Sequence, residues 1–365
     1  MLTLQCAMYK VSIEPHWRIA YGKNAAIDTA LLLRLLSAIQ SQGAIIQAAK
    51  TVNLSYRHAW GLLREAESIF GGALLDKQRG RGTLLTHLAT TLLWADRRIT
   101  ARLSPTLESL SSELETELGK SVLGTSNTVR MMARHGFAVE ALIKRLISDE
   151  VPVEFRYLNS TGAIAALSRQ ECDLAGFHIP LGDFEEEAVR RYTQWLDPKE
   201  HCLIHLAILN QGLFVAPGNP KNIQTLADLT RPDVQFVNRQ VGSGTRMLLE
   251  MLLEKTGIPQ SAINGFETEE FTHAAIAAYI ASKMADTGFG VETAARRFGL
   301  DFVPLLQERY FLAAHKESLQ TSPLRDVIKV LQSDDFKSQV NQLIGYDATD
   351  TGQILTLEEA FGPRA

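Results

Sequence analysis

The sequence predicts an α/β protein built in two parts, on three observations. Short apolar-periodic runs separated by tight turns fill residues 28–72. A basic, glycine-rich turn and a long charge-laced periodic segment follow to residue 118, and from Lys120 strand-like and helix-like runs alternate to the end. Alternation of that kind predicts mainly parallel sheets wrapped by helices. The expected division is a small helical domain over residues 1–87, a linker helix over 88–118 and an α/β domain over 119–365. A chain of 365 residues agrees, since one domain typically takes roughly 100–200.

Composition narrows the class. With 45% hydrophobic and 21% charged residues the chain can bury a sizeable core. The net charge of −4 conceals an asymmetry: residues 1–118 carry 13 Lys+Arg against 10 Asp+Glu, a net of +3, and the remainder 24 against 31, a net of −7. The two parts are therefore expected to meet different partners. Cys6, Cys172 and Cys202 show no paired spacing, so neither a disulfide framework nor a metal knuckle is suggested. The first residues lack a basic stretch followed by an apolar core, and no window approaches 18 apolar residues, so a cytoplasmic protein with no membrane contact is expected.

Residues 9–19 read as a short strand-like arm broken by Pro15. Asp28 is a good N-cap for TALLLRLLSAIQSQ, and Gly43 is its stop signal. AIIQAAKTV gives a short second helix, Asn53-Leu54-Ser55 a turn, and YRHAWGLLREAESIF a third helix ending at Gly71-Gly72. A short helix, a tight polar turn and a longer helix opening with Ser-Tyr-Arg-His make the helix-turn-helix pattern, whose last helix presents its first residues to a major groove. An ordinary three-helix bundle has the same spacing. Two short apolar runs around DKQRGRG then read as a hairpin with Lys77, Arg79 and Arg81 at its tip, suited to phosphate contact as well as to being a solvated turn.

The segment GAIIQAAKTVNLSYRHAWGLLREAESIFGGALLDKQRGRGTLLT resembles the winged helix-turn-helix of LysR-type regulators, and especially that of molybdate-responsive regulators, over about residues 15–95. The resemblance implies that Ser55, Tyr56, Arg57, His58 and Arg64 approach DNA, with Lys77, Arg79 and Arg81 on the phosphate backbone; Trp60 is expected in the core. The next segment, with apolar residues at Leu88, Leu92, Ile99, Leu103, Leu107, Leu110, Leu114 and Leu118, then corresponds to the linker helix that pairs two subunits. A homodimer or higher homo-oligomer on a pseudo-palindromic duplex operator is implied. A monomeric packing helix is the alternative, and Pro105 is expected to interrupt the helix or open its second half.

In the α/β region the runs are SVLGTS (strand), residues 138–148 (helix), PVEFRYLN (strand), GAIAALSRQ (helix), CDLAGFHIP and HLAILNQGLFVAP (strands), THAAIAAYIASKM (helix), DTGFG (strand), VETAARRFG (helix) and FVPLLQERYFLAA (strand), with helix again from Pro323 to about Leu343. The most informative stretch is NRQVGSGTRMLLEMLLE at 238–254. An apolar run, Val234 to Val237, leads through Gly242 and Gly244 into a helix with Met247, Leu248, Met251 and Leu252 at helical spacing. Free N–H groups of a first helical turn, with hydroxyls from Ser243 and Thr245, suit a small anion. A Walker-type phosphate loop fails for want of Gly-Lys-Ser/Thr, and a dinucleotide fingerprint fails because the glycines stop at Gly244.

Together with GTSN at 124–127, NSTGA at 159–163, ECDLAGFH at 171–178 and residues 273–300, this stretch resembles the two-lobed, type II periplasmic-binding-protein-like sensor domain related to molybdate- and tungstate-binding proteins. The resemblance implies a ligand between the lobes, held by Thr125, Ser126, Asn127, Ser160, Thr161, Ser243, Gly244, Thr245 and Arg246. Capping of a local helix is the alternative role for each hydroxyl. Arg246 is not needed by a molybdate site of neutral donors, so it is expected either to clamp a carboxylate or to pair with a neighbouring acid.

Other constellations are bland. His201 and His205 lie in a strand-like run, about 13 Å apart at ~3.3 Å per residue, too far for one metal ion. His178 and Tyr310 are candidates to line the cleft. No nucleophile–base set is arranged by motif, so no catalytic residue, metal or cofactor is expected beyond the small-anion effector. The expected function is a non-enzymatic, ligand-responsive, DNA-binding transcriptional regulator that senses an oxyanion such as molybdate or tungstate. Formate or another small carboxylate is the alternative effector, and a solute-binding protein that binds no DNA the alternative class.

Overall fold

The computed structural model describes residues 10–20, 27–78, 82–123 and 128–362, and packing divides the chain into two units, Glu14–Leu103 and Met1–Ile13 with Ser104–Ala365. In the first, β1 (Arg18–Ile19) pairs antiparallel with β2 (Ile27–Asp28); residues 10–17 form no strand, so the expected arm shrinks to two residues before the hairpin partner. Asp28 accepts from the Ala30 N–H at 3.0 Å and starts α1 (Thr29–Gln42), which ends at Gly43. α2 (Ile45–Thr51) follows, and Ser55 Oγ accepts from the His58 N–H at 3.1 Å to start α3 (Tyr56–Phe70). Ala59, Leu63, Ala66 and Ile69, spaced along one face of α3, close on Leu35, Leu36 and Ile39 of α1. β3 (Leu75–Gln78) and β4 (Gly82–Leu85) form the expected hairpin.

α4 (His87–Leu123) is one helix of 37 residues with Pro105 inside it. Interruption at Pro105 is thus corrected. Proline removes one ladder bond, but α4 is held beyond it. Ser109 and Ser112 accept from the Tyr157 and Phe155 N–H groups (both 3.0 Å), and Glu108 accepts from the Tyr157 hydroxyl (3.0 Å). These bonds supply an edge strand with the partners its backbone needs. The helix also continues through Gly119 to Leu123, where a strand was expected over SVLGTS. Leu103, Leu110, Leu114 and Leu118 stand exposed along α4 at intervals of seven, four and four residues.

The second unit continues with β5 (Val129–Ala133), α5 (Phe137–Ser148), β6 (Val153–Tyr157), α6 (Ser160–Ser168), β7 (Leu174–Pro180), α7 (Glu185–Tyr192) and β8 (His201–Val215). Next come β9 (Phe236–Arg239), α8 (Gly244–Thr256), β10 (Glu269–Glu270), α9 (His273–Ala281), β11 (Thr287–Val291), α10 (Glu292–Arg297) and β12 (Asp301–His315). α11 (Ser322–Gln332), α12 (Asp334–Asn341), β13 (Tyr346–Asp347), β14 (Ile354–Leu355) and α13 (Leu357–Phe361) complete it.

The sheet order is β10-β9-β11-β8-β12-β7-β5-β6. β5, β6 and β7 run parallel, as do β9, β10 and β11, and the antiparallel pair β8–β12 joins the two sets. Each of these two strands is 15 residues long and serves both lobes of a two-lobed, type II binding-protein-like fold. Against β8, the register of β12 shifts at Pro304/Leu306 and at Tyr310/Phe311. One apolar cluster lies along both lobes on one face, whereas on the other face α6, α7 and α13 pack on the first lobe and α8 on the second. That break leaves a cleft between α6–α7 and α8.

Candidate ligand-binding cleft

Ser243 caps α8, its Oγ accepting from the Arg246 N–H at 3.2 Å, and the turn before it bends at Gly242 with φ 81°, where an L side chain is strained. Gly244 lines the cleft, and Arg134 Nη1 would lie only 3.4 Å from a Cβ placed there. Thr245 is wholly buried and its Oγ1 accepts from Arg134 Nη2. Ser160, the first residue of α6, lines the opposite wall and hydrogen-bonds Tyr192, whereas Thr161 is exposed and does not line the cavity. The structure thus brings Ser160, Gly244 and Thr245 to one cleft. Thr125, Ser126 and Asn127 lie outside the described residues, and they precede β5; the carboxyl end of that strand is followed by Arg134, His135 and Gly136.

Arg246 is corrected as a ligand contact. Its guanidinium is buried, with Nε 2.9 Å from Glu250, Nη1 2.9 Å from Glu269 and Nη2 3.8 Å from Glu267, and it lies 4.4 Å above the Phe266 ring. It is the neighbouring-acid alternative that the structure realises, and the arginines that line the cleft are Arg134 and Arg191.

Around Arg134 stand further groups, of which His178 and Tyr310 were expected at the cleft and His273, Arg239 and Glu308 were not. His273, at the start of α9, places Nε2 2.9 Å from Arg134 Nη2. Arg239, at the end of β9, is buried with Nε unpartnered, and among the described residues neither arginine has a carboxylate at ion-pair distance. His178 lines the cleft with Nδ1 unpartnered, its ring edge-on to Tyr310 at 4.1 Å between centroids; the Tyr310 hydroxyl is also buried and unpartnered. Gly176 makes that possible, because a Cβ there would collide with the Tyr310 hydroxyl. Glu308, on the crossing strand β12, lines the cleft and accepts from Gln211 Nε2 at 2.5 Å. Pro180, Ala188, Met247, Leu248 and Met251 supply an apolar wall, and the cavity holds about 450 Å³ of empty space, part of it open to solvent. The signal for the two arginines was their position: Arg239 ends a parallel strand and Arg134 follows one.

Burial dominates the electrostatics of the groups in and around the cleft. Burial, reinforced by the arginines, holds His178 and His273 well below the usual imidazole range, and burial takes His135 down to about 4. Burial, then the charge of Arg134, disfavours the charge on Arg239. Burial lowers His201 and His205 as well. These five rings bind a proton more readily unfolded than folded, so stability is fully present above about pH 6.5 and declines as pH falls; each ring contributes up to about 1.4 kcal/mol per pH unit in its window. Glu108, Glu115 and Glu308, raised chiefly by burial, oppose this in smaller number. Calorimetric melting is expected to give a lower Tm at pH 5 than at pH 7.5; an equal or higher Tm at pH 5 would contradict this balance.

Glu200, His201 and His315 bring potential metal-ligand atoms within 4.8 Å of one another. Both the N–H (3.0 Å) and the carbonyl oxygen (3.3 Å) of Asp197 lie at hydrogen-bond distance from His201 Nδ1.

At the other unit, Ser55, Tyr56, Arg57, His58 and Arg64 are all exposed on or beside the first turns of α3. Tyr56 and Arg64 rest against Trp60, at 6.2 Å between ring centroids and 5.9 Å from guanidinium to ring. Lys77 is on β3; its side chain, with Arg79 and Arg81, lies outside the described residues.

The family model described as the PBP superfamily domain matches residues 144–332, which contain both walls of the cleft. The chain belongs to that family. The PBP superfamily domain here is joined to a helical unit. The uncharacterized protein YvgK of Bacillus subtilis (strain 168) is 31% identical over 230 residues, 62% of this chain and 73% of that one. The HTH-type transcriptional regulator CbbR of Xanthobacter flavus is 26% identical over 251 residues, 69% of this chain and 67% of that one. The molybdenum transport protein ModE of Herbaspirillum seropedicae is 40% identical over 72 residues, 19% of this chain and 27% of that one. Among the described residues of this PBP superfamily domain protein no helix is long and apolar enough to cross a membrane.

Proposed function

We propose that the chain is a LysR-type, ligand-responsive transcriptional regulator that binds duplex DNA through α3 and the hairpin and senses a small anion in the cleft. The observation that carries the sensing half is Arg134, half-buried in the cleft wall with the buried Arg239 near it, neither with a carboxylate ion pair among the described residues, beside unpartnered polar atoms of His178 and Tyr310. Enclosed charge is costly unless paired, and an anion pairs it. Arg134 already reaches across to Thr245 of the second lobe, so an anion beside it favours lobe closure.

The likeness to CbbR supports regulation, and the exposed 55–58 surface supports DNA contact. Molybdate and tungstate are the effectors that the ModE likeness supports; the formal positive charge of the cleft favours the alternative, a small carboxylate, because an oxyanion site of neutral donors needs no arginine. The exposed leucines of α4 support a homodimer, and the protein acts in the cytoplasm without a cofactor.

DNA contact is tested with the full chain and a Tyr56→Ala, Arg57→Ala double variant by fluorescence anisotropy on duplex DNA across salt concentrations. Log affinity is expected to fall linearly with log salt, and the variant to bind at least tenfold more weakly. A salt-independent affinity, or a variant that binds as the parent does, would remove α3 from the interface.

A further inference from the structure

The cleft contains one group that a simple anion site does not want. Glu308 is buried at 4% exposure and lines the same cavity as Arg134, which also holds Ser160 and the Gly244 turn. Its Oε2 takes a hydrogen bond from Gln211. A carboxylate facing a bound anion costs energy through like-charge repulsion unless the ligand offers it a proton. Sulfate, molybdate, tungstate and simple carboxylates offer none at neutral pH.

We infer that the effector is a hydroxyl-bearing organic acid whose carboxylate meets Arg134 and whose hydroxyl donates to Glu308, with its hydrocarbon part against Met247, Leu248 and Met251. This rests on the small-anion reading above and deepens it. The hydroxyl is chosen over an ammonium donor because Arg134 and Arg191 both line the site and disfavour added positive charge; the apolar wall of α8 fits carbon and has no counterpart on an inorganic tetraoxyanion. Because Glu308 lies on β12, which serves both lobes, its contact ties recognition to the strand at which the lobes cross. Glu308 is in this account a specificity-determining residue: it rejects acids that lack a donor.

The test is isothermal titration calorimetry on the full chain with 2-hydroxyisovalerate and isovalerate, which share one carboxylate charge and a carbon skeleton and differ in the hydroxyl, beside zwitterionic valine and the molybdate dianion. The expected result is that 2-hydroxyisovalerate binds at least tenfold more tightly than isovalerate or valine, and that Glu308→Gln narrows this gap while Glu308→Asp keeps it. Circular dichroism checks that each variant is folded, and the wild-type ranking stands as a test if neither variant folds. If molybdate or isovalerate binds at least as tightly as the hydroxy acid, the donor requirement is overturned while the anion reading stands. If no compound binds the folded chain, both fall.

Discussion

Arg134→Ala is expected to weaken effector binding by about tenfold to a hundredfold in titrations of the full chain while leaving the melting temperature within a few degrees. Arg134 lines the cavity together with Arg191, which is paired with Glu187, and Arg134 links the carboxyl end of β5 to Thr245 and His273 across the cleft. Hydrogen bonds to charged groups are worth about 1.5–3 kcal/mol, which sets that range. Its removal also relieves the crowding of two like charges, Arg134 beside Arg239, so the folded state loses contacts to Thr245 and His273 but gains electrostatically. An Arg134→Ala protein that binds the effector unchanged would show that the cleft's charge serves the fold alone.

Arg246→Ala is expected to do the opposite. This guanidinium touches Glu250 and Glu269 at 2.9 Å, accepts no role in the cavity wall, and packs on Phe266. Breaking a buried ion pair costs roughly 3–5 kcal/mol, and because both acids are about one-third exposed the expected loss is nearer to about 2–3 kcal/mol. Urea unfolding of the second unit measures it. The fraction that remains folded should bind effector within about threefold of the parent. A stable Arg246→Ala protein with lost binding would return this arginine to the ligand.

The two substitutions also mark how far the sequence could be read. The first unit was legible in detail, since Asp28, Ser55, Gly43 and Gly71 are local signals that act within a few residues of the helices they start and stop. The glycine turn at 242–244 was legible for the same reason, and it did bring Gly244 and Thr245 to the cleft. The charged groups were not, because Arg134, Arg239, His273 and Glu308 come from four separate elements and meet only through long-range strand pairing. The misplacement of the first strand over SVLGTS had a local cause. Val122 and Leu123 read as strand, but α4 runs through Gly119 and carries them in a helix, so the strand-end position expected at 124–127 belongs instead to Arg134–Gly136. The fate of Arg246 was hidden for a related reason: Glu267 and Glu269 approach it from the β9–β10 connection, over twenty residues downstream.

The central claim is that filling the cleft changes how the chain holds DNA. The most direct measurement selects duplexes from a random library with the full chain, then titrates one selected duplex by fluorescence anisotropy with and without a saturating acid that calorimetry shows to bind. The expected result is a shift in DNA affinity of about tenfold, equivalent to roughly 1.4 kcal/mol of coupling, that disappears in Arg134→Ala. If the acid binds and the affinity for DNA stays the same, or if no duplex is enriched over random sequence, the chain is not the ligand-responsive regulator proposed here.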